Sequence, residues 1–328
     1  VIKLSTISNY KLVWWDSAVY IGIGKYVYSL GNVGLWENSR PVIWPVFLGF
    51  LWKTGFDVIL AGRILEIIFG SLCILFTFLI GKKIFNGKIA ILSSLLLALS
   101  PTFFFFNGVM LTETISTFFS LAALYLLIEK KYFNSGLLFG ISFMTRFLQI
   151  FAFLAVSLVI LTYSKKDIRN YSKLFFGFII TISPFLILNQ VLYNNSLFPF
   201  FQQLDLSKNS GWFNYQPMSY YFRELFKENF LYLLVFFGIL LVFKNKNENK
   251  KYIATIFLAF FVLFNSIKQK EMRFLIVLFP YMYLLISYSV FYIFNRYENT
   301  AVKKISLVAL TLFFALSFFN VATYYKNE

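Results

Sequence analysis

VILAGRILEIIFGSLCILFTFLIGKKIFNGKIAILSSLLLALS, residues 58–100, decides the class of fold. Its opening run, 58–80, carries only Arg63 and Glu66 as charges, and it is long enough to cross a bilayer, which takes roughly 20 mostly apolar residues. Lys82, Lys83 and Lys88 then crowd a short connection before a second apolar run begins at 89. Apolar runs punctuated by short basic connections are the pattern of a polytopic membrane protein. Outward from this stretch the pattern repeats. Runs at 58–80, 89–106, 114–128, 132–146, 147–163, 174–193, 229–243, 252–266 and 274–294 each read as a span, and 305–320 as a tenth. The expected fold class is therefore all-α: a transmembrane helical bundle of about ten spans.

Composition agrees. The 328 residues are 59% hydrophobic and only 13% charged, against about 25% charged in soluble domains, and the mean hydropathy is +0.72. The net charge of +16 does not point to nucleic acid, because the cations sit in short clusters between apolar runs, where lipid headgroups are the counter-charge. The chain holds no histidine and one cysteine, Cys73. His-based metal sites, imidazole bases and an intrachain disulfide are excluded, and acid–base chemistry falls to carboxylates, Lys or Tyr. The sequence opens at Val1 without a signal peptide, and one more helix is expected before it.

The basic clusters set orientation. Lys82, Lys83 and Lys88; Lys130 and Lys131; Lys165, Lys166, Arg169 and Lys173; Lys244, Lys246, Lys250 and Lys251; and Arg296, Lys303 and Lys304 all reach one side if 132–163 crosses twice, with a break near Arg146. That side reads as cytoplasmic. The chain then divides into a first extracytoplasmic loop (1–57), helices 58–193, an extracytoplasmic loop (194–228) and C-terminal helices (229–328). Within the first loop, DSAVYIGIGKYVYSLG from Asp16 and PVIWPVFLGFLWKTG from Pro41 have the spacing of helices lying in the membrane interface.

Charges of both signs gather on the outer side. Asp16, in WWDSAVY, is a carboxylate placed to take a proton from a hydroxyl, with Trp14 and Trp15 expected to bury it; as a first-turn acid it equally suits a helix cap. Glu113, in MLTETIS, sits at the mouth of an apolar helix, where a carboxylate is costly; it too suits a cap. Arg40, in NSRPVIWP, offers a bidentate guanidinium for phosphate or snorkels to headgroups. In KQKEMRFLIVLFP, residues 268–280, Lys268, Lys270 and Arg273 concentrate positive charge where short outer loops usually lack it, with Glu271 and Arg273 spaced as an orienting pair. Arg146, in FMTRFLQI, suits either an ion pair with Glu113 or Asp16, or a ligand contact. In the loop 194–228, Trp212, Tyr215 and Tyr220 suit sugar stacking or interface anchoring.

Taken in order, these pieces resemble the multi-spanning glycosyltransferases of the C-type fold (GT-C), in particular the dolichyl-phosphate-mannose protein mannosyltransferase and aminoarabinose transferase group. The stretches that carry the resemblance are Asp16 with Tyr20, SRPVIWPVFLGFLWKTG, the run 61–101 with Arg63, Gly70, Gly81 and Pro101, LTET, GLLFGISFMTR, and KEMRFLIVLFP. It implies Asp16 as catalytic base with Tyr20 beside it, and Glu113 as a second acidic motif. For the donor phosphate it implies Arg40; beside that, the residues themselves offer Arg146, Lys268, Lys270 and Arg273 as donor-phosphate contacts, with Glu271 in support. The sequence departs from the family pattern in having Asp-Ser where the family has paired carboxylates, no His before Lys-Glu, and no luminal domain in these residues. No metal is assigned, and a divalent ion stays open.

The function so implied is transfer of a mannose-like sugar, with inversion, from a polyprenyl- or dolichyl-phosphate donor to a hydroxyl of a glycan, lipid or protein on the extracytoplasmic face of the plasma membrane or its equivalent. Membrane lipids are the other expected partners. The alternative is a lipid or small-solute transporter, which would place its charges near the midplane and show inverted repeats; here the charges lie at helix mouths and no repeat is visible.

Overall fold

The computed structural model describes residues 13–163, 168–209 and 215–296, together with 312, 316 and 319. Most of the tenth run, Trp212, Lys165, Lys166, Lys303 and Lys304 lie outside the described residues. Among those described, regular structure is helical apart from an isolated bridge between Tyr215 and Gln269. The helices are α1 (Trp15–Tyr28), α2 (Ile43–Lys53), α3 (Val58–Ile84), α4 (Gly87–Ala98), α5 (Pro101–Phe106), α6 (Thr112–Ile128) and α7 (Tyr132–Thr145). They continue as α8 (Ile150–Tyr163), α9 (Ile168–Tyr193), α10 (Phe198–Asn209), α11 (Tyr220–Glu228), α12 (Leu234–Lys244), α13 (Glu248–Ser266) and α14 (Phe279–Arg296). The chain forms two compact units, Val1–Leu72 with Phe106–Ile150 and Arg169–Phe213, and Cys73–Phe105 with Phe151–Ile168 and Asn214–Glu328.

The helix ends follow from local chemistry. Asp57 starts α3 by accepting the N–H groups of Ile59 and Leu60 at 2.9 and 3.2 Å, and Asn86 starts α4 by accepting that of Ile89. The run expected to be continuous over 89–106 is broken after Ala98, because Pro101 has no N–H to continue the ladder and instead opens α5. The stretch 194–228, read from sequence as loop, holds α10 and α11; Asn195 caps the turn into α10 through the Leu197 N–H. Helices α3 and α9, with 27 and 26 residues, are long and apolar enough to cross a bilayer. At 1.5 Å per residue each reaches about 40 Å.

In the first unit, α1 and α2 lie against each other through glycine. A Cβ on Gly24 would stand 2.6 Å from the Gly49 nitrogen, so only glycine permits the approach. Helices α6 and α7 pack through small polar residues: the Ser135 hydroxyl donates to the Ala123 carbonyl and that of Ser142 to the Ser116 carbonyl, at 2.8 and 2.7 Å. Such contacts let helices approach closely where lipid supplies no hydrophobic drive. Beneath α1 and α2 a core of Tyr20, Trp44, Leu48, Val58, Met110 and Ile115 closes.

In the second unit, α14 packs on α4 and α12. A buried carboxylate, Glu228, ties α11 to its surroundings, accepting 2.8 Å hydrogen bonds from the hydroxyls of Thr102 and Tyr232; Tyr232 in turn meets Tyr283.

Candidate functional site

The first unit gathers five of the charged or phenolic groups singled out from sequence. Asp16 lies in the first turn of α1 and pairs with Arg40 at 2.9 Å. The Arg40 Nε reaches Glu37 at the same distance, and the Ser39 hydroxyl donates to that carboxylate as well. The guanidinium lies over the Tyr20 ring, 5.6 Å from its centre. Glu113, in the first turn of α6, is almost fully buried and pairs with Arg146 at 3.0 Å. The same guanidinium donates to the Thr112 hydroxyl.

Arg146 can reach inward because the helix stops there. It takes extended backbone angles, φ −154° and ψ 112°, between α7 and a single 3-10 turn at Phe147–Gln149. The stretch 132–163 is therefore two helices, joined at the arginine.

Tyr20 is the common neighbour. Burial raises the pKa of its hydroxyl above the usual tyrosine value, and the charges of Arg40, Asp16, Glu113 and Arg146 all act on it. Burial also works against the charge of Arg40, but Tyr20, Asp16 and Glu37 outweigh it and hold the guanidinium protonated. Trp15 is 69% exposed, and Trp14 packs at a steep angle against Phe106; Asp16 pairs with Arg40 and acts on Tyr20.

Two carboxylates of this region were not singled out from sequence. Glu37 completes the hold on Arg40. Glu66, in α3, is fully buried and accepts the backbone N–H groups of Gly108, Met110 and Leu111. A lone carboxylate inside an apolar run was the available signal for Glu66.

In the second unit, Arg273 and Glu271 form a two-point pair, Nε to Oε2 at 2.6 Å and Nη2 to Oε1 at 3.2 Å. Tyr221 secures the turn by exchanging hydrogen bonds with the Glu271 backbone. Lys270 is 2% exposed; burial lowers its pKa, and its ammonium donates to the Ile267 carbonyl. Among the described residues no carboxylate pairs with it. The Lys268 carbonyl accepts from the Gln216 N–H. Tyr220 stands where Glu224, Arg223 and Glu271 act on its hydroxyl, while Tyr215 is about half exposed. Among the described residues no three His, Cys, Asp or Glu side chains gather into a metal-ligand set.

The profile of the Alg9-like mannosyltransferase family matches residues 17–328, nearly the whole chain. The chain belongs to the Alg9-like mannosyltransferase family. No protein of curated function matches it in sequence. Among solved structures, ArnT from Cupriavidus metallidurans bound to undecaprenyl phosphate superposes with a TM-score of 0.75 at 12% identity, over 95% of this chain and 61% of ArnT. AglB, the oligosaccharyltransferase of Archaeoglobus fulgidus, in complex with an inhibitory peptide and a dolichol-phosphate, gives 0.65 at 11% identity, over 98% of this chain and 54% of AglB. At such identities the likeness carries the fold, which is the C-type glycosyltransferase fold expected from sequence. This Alg9-like chain thus spans about six tenths of the length of ArnT, and the family to which it belongs is one of integral membrane glycosyltransferases.

Proposed function

We propose that this chain transfers a mannose-like sugar from a polyprenyl- or dolichyl-phosphate donor to an acceptor hydroxyl, on the extracytoplasmic face of its membrane and with inversion at the anomeric carbon. The observation that carries the reading is the convergence of Asp16, Arg40, Glu113 and Arg146 around one buried tyrosine, in a member of a mannosyltransferase family. The lipid phosphates bound in the ArnT and AglB structures support the donor class.

The chemistry follows from the pairs. Arg40 already holds Asp16 and Glu37. A donor phosphate taking one face of its guanidinium would displace a carboxylate and free Asp16 as base. Asp16 then accepts the proton as the acceptor oxygen attacks the anomeric carbon and the carbon–phosphate-oxygen bond breaks. A phosphate departs as a stable anion, so no general acid is required, unlike the alkoxide of glycoside hydrolysis. Developing negative charge on the phosphate is met by fixed cations. Arg146 shares this role less directly, because its pair with Glu113 is more deeply buried than the pairs of Arg40. Lys268, Lys270 and Arg273, in the second unit, are separate donor-phosphate candidates; Lys270 is the buried one among them, and among the described residues no carboxylate pairs with it.

The test is sugar transfer by the purified protein in nanodiscs, from polyprenyl-phosphate mannose to a panel of glycan, lipid and peptide hydroxyls, with products weighed by mass spectrometry. Asp16→Asn should cut the turnover at least about a hundredfold, the low end of what a general base supplies. Undiminished transfer by that variant removes Asp16 as base.

A further inference from the structure

We infer that Glu66 is a positioning residue that sets the spacing between the Asp16–Arg40 pair and the Glu113–Arg146 pair; as a role in catalysis this rests on the reading proposed above. The turn between α5 and α6 carries the argument. Gly108 and Met110 have φ of +114° and +66°, and a left-handed methionine persists only where its surroundings fix it. The turn's N–H groups at Gly108, Met110 and Leu111 all converge on the Glu66 carboxylate, the first and last at 2.9 and 3.1 Å. A carboxyl group is the side chain suited to three donors at once, since its two oxygens together accept in several directions.

The carbonyls of the same turn face the other way. Val109 accepts from the Ser17 hydroxyl at 2.6 Å and Met110 from the Trp44 indole at 3.0 Å. Ser17 follows Asp16 in α1, and Glu113 stands two residues beyond Leu111 in α6. One five-residue turn therefore locks α1, α2 and α6 to α3, with Glu66 as its anchor. Glu66 itself forms no bond to either arginine pair; it acts through the backbone. Replacing it with glutamine turns one acceptor into an NH2 that faces backbone N–H groups, so at least one of the three bonds is lost.

The experiment compares the full chain with Glu66→Gln and Ser17→Ala in nanodiscs. Hydrogen exchange over residues 107–112 reports the turn without reference to activity, and transfer from polyprenyl-phosphate mannose gives kcat and donor KM. In Glu66→Gln the amides of 108–111 should exchange at least tenfold faster while α6 beyond Thr114 keeps its protection. Its kcat should fall at least tenfold with donor KM within threefold. Ser17→Ala, a milder cut between the turn and the Asp16 helix, should lower kcat with KM kept, and it decides the matter if Glu66→Gln does not fold. A turn that stays protected in Glu66→Gln, or one that opens with kcat unchanged, overturns the inference. A chain that transfers no sugar before any substitution sinks the proposed function instead, and the exchange arm still decides whether Glu66 holds the turn.

Discussion

Arg146 and Glu113 illustrate how one side chain depends on another inside an apolar frame. Glu113 is 2% exposed and Arg146 13%, so neither charge can turn to water for compensation. Removing one partner of a buried pair costs about 3–5 kcal/mol, because the survivor is left without a counter-charge. Arg146→Met should therefore lower the melting temperature in detergent markedly, and the double variant with Glu113→Gln should lose less than the two single losses added. Additive losses would mean the two groups do not act as a pair. Lys270 makes the opposite prediction. Among the described residues its buried ammonium meets a carbonyl and no carboxylate, so Lys270→Met should melt no lower than the native chain while donor affinity falls several-fold. Its pKa lies below the ordinary lysine value of 10.5, so the unfolded chain binds more protons between the two values. The stability penalty from this group is thus present below the folded pKa and relieved as pH rises toward 10.5. Donor binding should weaken over that same alkaline range in the native chain and stay flat in Lys270→Met.

Helices α1 and α2 show what a pair of elements needs in order to hold such groups. Both are short, and each presents one glycine to the other. The contact brings Asp16 and Tyr20, on α1, to Arg40, in the residues just before α2. Gly24→Val places methyl groups where the Pro45 carbonyl and the Gly49 backbone now sit. Overpacking of this kind costs typically about 1–3 kcal/mol, and here it should also separate Asp16 from Arg40 and depress transfer. Gly87 is the control: a Cβ there meets nothing within 4 Å, so Gly87→Ala should leave melting and transfer unchanged. Equal effects at both positions would dismiss the close approach as the cause. The break at Arg146 belongs to the same level. Periodicity alone leaves 132–163 as either one helix or two, and the even basic clusters favour two; the structure stops α7 at Thr145 and turns the arginine inward.

Across the molecule, charge placement gives a topology that can be measured. In a Cys73→Ser background, Val33→Cys should react with an impermeant maleimide on intact cells, and Lys88→Cys only after permeabilisation; both positions are exposed. Reaction of both from the same side would overturn the orientation and with it the extracytoplasmic site. The site draws on separated stretches, 13–40, 107–114 and 146. The paired charges at helix mouths were legible as candidates because a charge next to hydrocarbon is costly and stands out. Glu66 stood out in the same way, as a carboxylate in an apolar run, but its role did not, since its partners are backbone groups 42 to 45 residues later, and a backbone N–H carries no side-chain signature. Glu37 and Glu228 escaped for a similar reason: each looks like an ordinary loop charge until the fold surrounds it.

Sequence by itself determined that this is a helical membrane chain, because hydropathy and charge clustering are local properties that the bilayer reads directly; its likeness to the C-type glycosyltransferases rested on the order of its motifs. It also determined which side chains had to be accounted for. Only the tertiary structure decided who meets whom: that Asp16 shares Arg40 with Glu37, that Glu113 takes Arg146, and that Glu66 spends its charge on a turn. Pairing depends on distances between stretches far apart in the chain, and those distances exist only once the helices have packed.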